Sequence, residues 1–300
     1  MRERALGSSD MGRDKVRGKQ VWYFAYGSNM KAESMTKRNI TPIESKIAEV
    51  PSHYLTFDIF GIPFSEPSYA SIESFPPSSS QLQLLWNGRR HCDVRAVCGI
   101  AYLLTSEDFH RLLITEGSGV VYHVIEMEAR GLSTEGDCQE TMTVYALKAK
   151  RPMRPNGVPS QRYMVSCTPN LLSAMPGRRG ADARCQTLFR DGAAAMELPK
   201  DYRDYLSCLP VYVKPLPGEE PLGTWAFSWL WRPFLKQIVR LTTYRVDQDG
   251  NCPEWVAILI VVLYNLMWVY HDCVHRKVFT SGDGGKMYYV DAKNDASTHE

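Results

Sequence analysis

The chain has no C-x-x-C pair and no Cys/His spacing of the zinc type, although it carries eight cysteines: Cys92, Cys98, Cys138, Cys167, Cys185, Cys208, Cys252 and Cys273. A structural zinc centre therefore has no basis in the sequence, and the scattered thiols read as reduced and mostly buried. None of them has a triad-like context for a cysteine nucleophile. No run of lysine and arginine is dense enough to follow a phosphate backbone. A formal net charge of +2 gives nucleic acid no electrostatic footprint. The first twenty residues have charges but no apolar stretch of the secretory type, and Glu3, Asp10 and Asp14 argue against a mitochondrial presequence. The expectation is a cytoplasmic protein. No internal repeat occurs.

What is present suits a globular fold with a sizeable core. Hydrophobic residues make up 44% and charged ones 23%, too apolar a balance for wholesale disorder. Residues 1–20 read as a flexible polar leader. The run VWYFAYG, from Val21, is aromatic and β-branched and stops at Gly27, which predicts a strand and a tight turn. Ser28 and Asn29 are N-cap residue types, and MKAESMTKRN after them has helix-forming composition. Strands are expected in SHYLTFDIFG, YASIES, AVCGIAYLL, VVYHVIEMEA and TMTVYALKA. TSEDFHRLLITEG predicts a helix capped by Thr105 or Ser106 and stopped by Gly117. QRYMVSCTPNLLSAM and LPKDYRDYLSCL read as further helices. After Pro210 the character changes: PLPGEEPLG is linker-like, TWAFSWLWRPFLKQIV is amphipathic, and Trp255 to Tyr270 is almost continuously apolar. The stretch from Thr280 is Gly-rich and polar and reads as a mobile tail.

A strand that ends in Gly-Ser-Asn and leads into a helix can point several backbone N–H groups at one anion. It can equally be an ordinary capped helix, and local chemistry leaves both open. Four blocks read together decide more. VWYFAYGSNM, CGIAYLLTSEDFHRLLITEGSGVVYHVIEMEA, PSQRYMVSC and ELPKDYRDYL resemble, in order, the signature blocks of the γ-glutamylcyclotransferase family, and they span roughly Val21 to Pro210.

The resemblance implies an α+β fold, a small mixed β-barrel with surrounding helices, here with a helical apolar C-terminal extension. It divides the chain into a leader (1–20), a catalytic domain (21–210) and an extension (211–300) holding the apolar segment 255–270. It implies that Tyr26, Gly27, Ser28, Asn29 and Met30 hold a γ-glutamyl head group, that Glu116 is the acid/base, and that Tyr163 and Tyr202 border the substrate cavity. On the residues alone, Glu116 could be an exposed helix end and the two tyrosines core-edge side chains. The implied reaction is an intramolecular aminolysis that closes the γ-glutamyl group to 5-oxoproline, without cofactor or metal. The partner is a small γ-glutamyl substrate. The layout is similar to fungal members that process glutathione conjugates in the biosynthesis of sulfur-containing toxins. A housekeeping enzyme acting on γ-glutamyl amino acids and a non-catalytic binding module of the same fold are the alternatives.

Two features lie outside these blocks. His271 and His275 have an i, i+4 spacing able to hold a metal, but no convincing carboxylate partner is evident in sequence. The segment 255–270 is shorter than the roughly 20 residues of a spanning helix; packing on the protein, self-association and membrane association all remain open for it.

Overall fold

The computed structural model describes residues 4–6, 20–77, 81–116, 121–132, 140–150, 154, 156–161, 163–164, 198–215, 218, 220–245 and 253–291. Its main sheet contains β1 (Arg4–Leu6), β2 (Val21–Ala25), β3 (Glu44–Ile62), β4 (Glu66–Ser74), β7 (Ala96–Leu104), β8 (Tyr122–Gly131) and β9 (Thr141–Ala149). Strand order is β1-β8-β9-β2-β7-β3-β4, and β3 also reaches β8 through Ala48↔Gly131 and Glu49↔Arg130. That last pairing closes β8, β9, β2, β7 and β3 into a five-stranded barrel. The β2–β9 pair is parallel and the others antiparallel, so the barrel is mixed. Arg4–Leu6, inside the expected leader, pairs with Glu126–Val124 of β8.

β3 pairs with β7, β8 and β4 in turn by breaking its register. Glu44–Val50 runs along β7, and the register shifts between Val50 and Tyr54. Pro51 lies in that gap, where a residue without an N–H costs the ladder least. A second shift, between Thr56 and Ile59, bends the strand along β4. Phe24, Phe57, Leu104 and Ile125 are fully buried in the main hydrophobic core. Gly99 is required where β2 meets β7, since a Cβ there would stand 2.2 Å from the Ala25 carbonyl oxygen. The expected strands of this region and α2 (Ser106–Thr115) are all present. Thr105 caps α2, its Oγ1 accepting the Asp108 N–H at 3.1 Å.

Two corrections concern helix α1 and the C-terminus. Ser28 and Asn29 do not cap a helix. They form, with Met30, a 3-10 turn, and α1 (Ala32–Thr36) begins separately after Lys31 with no side-chain cap. The stretch from Thr280 is not a free tail up to Asp291. It returns as β10 (Met287–Asp291), pairing antiparallel with β5 (Leu82–Trp86), which pairs in turn with β6 (Arg89–Asp93). The β5–β6 turn uses Asn87 and Gly88, both at positive φ, the usual two-residue hairpin geometry. Trp86 Nε1 donates to the Gly284 carbonyl at 3.2 Å and pins the returning strand.

The remaining helices are α3 (Lys200–Cys208), α4 (Leu222–Arg245) and α5 (Glu254–Tyr270). α4 and α5 form an antiparallel hairpin: Phe227 packs by Tyr270 and His271, while Ile238 shares a cluster with Val256 and Ile260. Phe60 and Phe64, at the β3–β4 turn, enter the same core, and Trp268 Nε1 donates to the Gly61 carbonyl at 3.0 Å. Most of the expected QRYMVSCTPNLLSAM helix lies outside the described residues.

Candidate active site at the barrel end

The turn after β2 brings together four polar side chains, one each from β2, the turn itself, the end of α1 and the end of α2. Asn29 Nδ2 donates to Glu116 Oε1 at 2.9 Å and to the Tyr23 hydroxyl at 3.2 Å. Arg38, just beyond α1, donates from Nη1 to Asn29 Oδ1 and from Nη2 to the same Glu116 oxygen. Glu116 is the C-cap of α2, with its N–H bonded to the Leu112 carbonyl at 3.1 Å. Its Oε1 is thus doubly engaged, whereas Oε2 has no hydrogen bond to any described residue. Gly117 and Val120 lie outside the described residues.

These contacts fix an acceptor between two donors, and the loop beside it offers more. The 3-10 turn closes with the Met30 N–H on the Gly27 carbonyl at 3.0 Å. In such a turn the N–H groups of Ser28 and Asn29 have no partner within the helix. Gly27 permits a close approach: a Cβ would lie 2.9 Å from the Tyr163 hydroxyl, so a side chain there would displace that ring. Tyr163 and Tyr122 meet the backbone of the same β4 residue, the first accepting the Ala70 N–H at 3.4 Å and the second donating to the Ala70 carbonyl at 3.2 Å. Burial pushes the Tyr23 and Tyr122 hydroxyls well up, with the nearby Glu116 carboxylate adding to the effect. Both stay protonated and able to donate across the physiological range.

Of the expected residues, Gly27, Ser28, Asn29 and Glu116 are thus gathered at one place, with Tyr163 against Gly27. Tyr26 and Met30 anchor the loop from behind. The buried Tyr26 hydroxyl donates to the Leu147 carbonyl of β9, and the buried Met30 offers its carbonyl to the Tyr102 hydroxyl at 2.5 Å. Tyr202 is buried in the main core with its ring 5.8 Å from that of Tyr205 on α3. Arg38, Tyr23 and Tyr122 escaped the sequence reading. Tyr23 and Tyr122 look like ordinary strand aromatics, and Arg38 sits in the charged stretch TKRN, where no periodicity singles it out. Its proximity to Glu116 is a long-range contact that only the barrel creates.

The histidine pair does not converge on one point. Within the described residues, the cluster close enough to share an ion is His271, Asp272 and Asp283. Arg154 fills it, with Nη1 2.9 Å from Asp272 and Nη2 3.5 Å from Asp283, its guanidinium 3.6 Å over Trp268. His271 accepts the Gly282 N–H at Nε2 (3.1 Å), so its proton sits on Nδ1, facing Asp272 at 2.8 Å. The His275 ring packs at 5.3 Å from Phe227 and 5.4 Å from Phe64.

Comparison with known proteins gives the site a context. A family model described as the AclK C-terminal domain matches residues 219–278, the helical hairpin with the helical continuation of its second arm. The chain is 39% identical over 271 residues to a protein of Aspergillus fumigatus named gamma-glutamyl cyclotransferase gliK, covering 90% of this chain and 91% of that one. It is 51% identical over 159 residues to gamma-glutamyl cyclotransferase verK of Clonostachys rogersoniana, covering 53% of this chain and 89% of the other. A solved structure titled gamma-glutamyl cyclotransferase aligns with 69% of this chain and 97% of its own, at 15% identity and a TM-score of 0.41.

Proposed function

Because the chain belongs to the γ-glutamyl cyclotransferase family, we propose that its barrel site releases 5-oxoproline from a γ-glutamyl compound by intramolecular aminolysis, with Glu116 moving the protons. The α-amine of the γ-glutamyl group attacks its own γ-carbonyl carbon, the five-membered lactam closes, and the bond to the departing amine breaks. No water is consumed. The ammonium must lose protons to attack, and the departing nitrogen must gain them. One carboxylate within reach of both serves each transfer in turn. Nucleophile and electrophile share one molecule, so the protein's main task is to hold the attack conformer.

The observation that carries this reading is the convergence of Asn29 and Arg38 on Glu116 Oε1 beside the Gly27 turn. Two donors orient the carboxylate through one oxygen and leave Oε2 for the protons. The N–H groups of Ser28 and Asn29, together with the Arg38 guanidinium, offer donors for the α-carboxylate and for charge developing on the γ-oxygen. The acceptor side of the substrate is proposed to be a glutathione conjugate of a sulfur-containing fungal metabolite, following the resemblance in layout; housekeeping turnover of γ-glutamyl amino acids is the competing role.

Purified protein incubated with γ-glutamyl-alanine, glutathione and a bulky glutathione S-conjugate, with 5-oxoproline quantified, tests both parts. Glu116→Gln keeps an oxygen for Asn29 and Arg38 but cannot shuttle a proton, so kcat should fall by about 10²–10⁴. Full activity in that variant would remove Glu116 from the chemistry. Absence of 5-oxoproline from every substrate, with a γ-glutamyl ligand still bound, would favour the binding module. Preference for the conjugate supports the biosynthetic role, and preference for γ-glutamyl-alanine the housekeeping one.

A further inference from the structure

The helical hairpin buries one side and leaves an apolar stripe on the other. On α5, Val256, Ile260, Met267 and Trp268 pack inward. Trp255, Ile258, Val262, Leu266 and Val269 are each about half exposed, between 46% and 57%. Their spacing of three and four residues places them on one helical face, a band about 21 Å long at 1.5 Å per residue. Asn265 is the polar residue on this exposed face. Its Nδ2 donates to the Val261 carbonyl of its own helix at 2.8 Å, so its amide is partly satisfied without solvent. An exposed apolar face of this length on a folded protein marks a surface that meets something else.

The surrounding charge identifies what it meets. From Leu222 to Val278, the described residues expose five cations, Arg232, Lys236, Arg240, Arg276 and Lys277, against one exposed acid, Glu254. Of these, Arg276 keeps long contacts of 4.0 Å with Asp272 and 3.9 Å with Asp283. α4 also exposes Trp225 and Trp229, their rings stacked at 6.4 Å, on the same helical face as Arg232, Lys236 and Arg240. Exposed tryptophans and aliphatics accompanied by lysine and arginine are the composition of a helix lying at a lipid headgroup boundary. A second copy docked face to face would bring the same cation-rich surface against itself.

We infer that the exposed face of the α4–α5 hairpin docks on the headgroup region of an anionic lipid bilayer, with the protein lying peripherally upon it. The helix Glu254–Val278 is long and apolar enough to cross a membrane by length and composition. Its inner face, however, is part of the protein: Trp268 is bonded to Gly61 and Asp272 to Arg154. A crossing helix would have to surrender those contacts, so it rests on the membrane and does not pass through.

The test is flotation of the full chain with vesicles of phosphatidylcholine alone or with about 30% phosphatidylserine, beside sedimentation of the protein without lipid. Binding is expected to the anionic vesicles only and to weaken with added salt. Lys236→Gln/Arg240→Gln/Lys277→Gln should weaken it by at least about tenfold. Val262→Asp/Leu266→Asp should abolish it, with the circular dichroism and melting of each variant unchanged. Equal flotation with both vesicle types, or none with folded protein, overturns the proposal. So does a dimer that Val262→Asp/Leu266→Asp dissociates while wild type ignores vesicles, which would assign the face to a second copy. These readouts do not depend on 5-oxoproline release.

Discussion

At the barrel end, Asn29 is buried and both ends of its amide are occupied, by Glu116 and Tyr23 on one side and Arg38 on the other. On the hairpin, Ile258, Val262 and Val269 each leave about half of their apolar surface to solvent. The first region hides polar groups and satisfies them within the chain; the second exposes apolar groups and leaves them to an external surface. The contrast teaches where specificity resides. Buried polar groups demand fixed partners, so the site is rigidly specified by contacts. An apolar face demands only removal from water, so it tolerates substitution among apolar residues.

Stability measurements would break this comparison most directly. Phe24→Ala, in the barrel core, should cost about 3–5 kcal/mol in chemical denaturation, whereas Val262→Ala should stay within about 0.5 kcal/mol. A large loss at Val262 would mean the stripe is already covered by the protein. Arg154→Ala should cost about 3 kcal/mol, because Asp283, only 4% exposed, would lose its main cation. Asn29→Ala should lower kcat/KM by about 10–100-fold, having removed a donor to Glu116. A change of similar size in KM alone would assign Asn29 to substrate binding.

The smallest effect is in pH. Burial holds the His271 imidazole below its ordinary 6.5, and burial acts likewise on His275. The unfolded chain takes up protons near that value while the folded chain resists them, so stability is full above about pH 7 and falls as pH drops below 6.5. The melting temperature should decline between pH 7.5 and 5.5, and His271→Asn should flatten part of that slope.

The strands from Val21, Ala96, Tyr122 and Thr141 were legible because each is a β-branched or aromatic run bounded by turn residues, and α2 because Thr105 and its first-turn acids mark a start. The Gly27 turn and Glu116 were legible through their blocks. Arg38 was not: nothing local separates it from Lys37 or Lys31, and its importance arises when closure of the barrel brings α1 beside the end of α2. Ser28 and Asn29 suit a helix cap and a 3-10 turn alike, so the local sequence does not separate the two. β10 was hidden because its polar, glycine-rich approach imitates a disordered end, and only its pairing with β5, about two hundred residues earlier, makes it a strand.

That distant pairing sets an order on biosynthesis. When the ribosome has released β5 and β6, the outer edge of β5 has no neighbour, and it keeps none until the last dozen or so described residues emerge. Through most of translation the nascent chain therefore carries an open strand edge, the kind that seeks any available partner. A chain ending at residue 280 would hold that edge open permanently, and its expected fate is aggregation, even with every side chain of the barrel site intact.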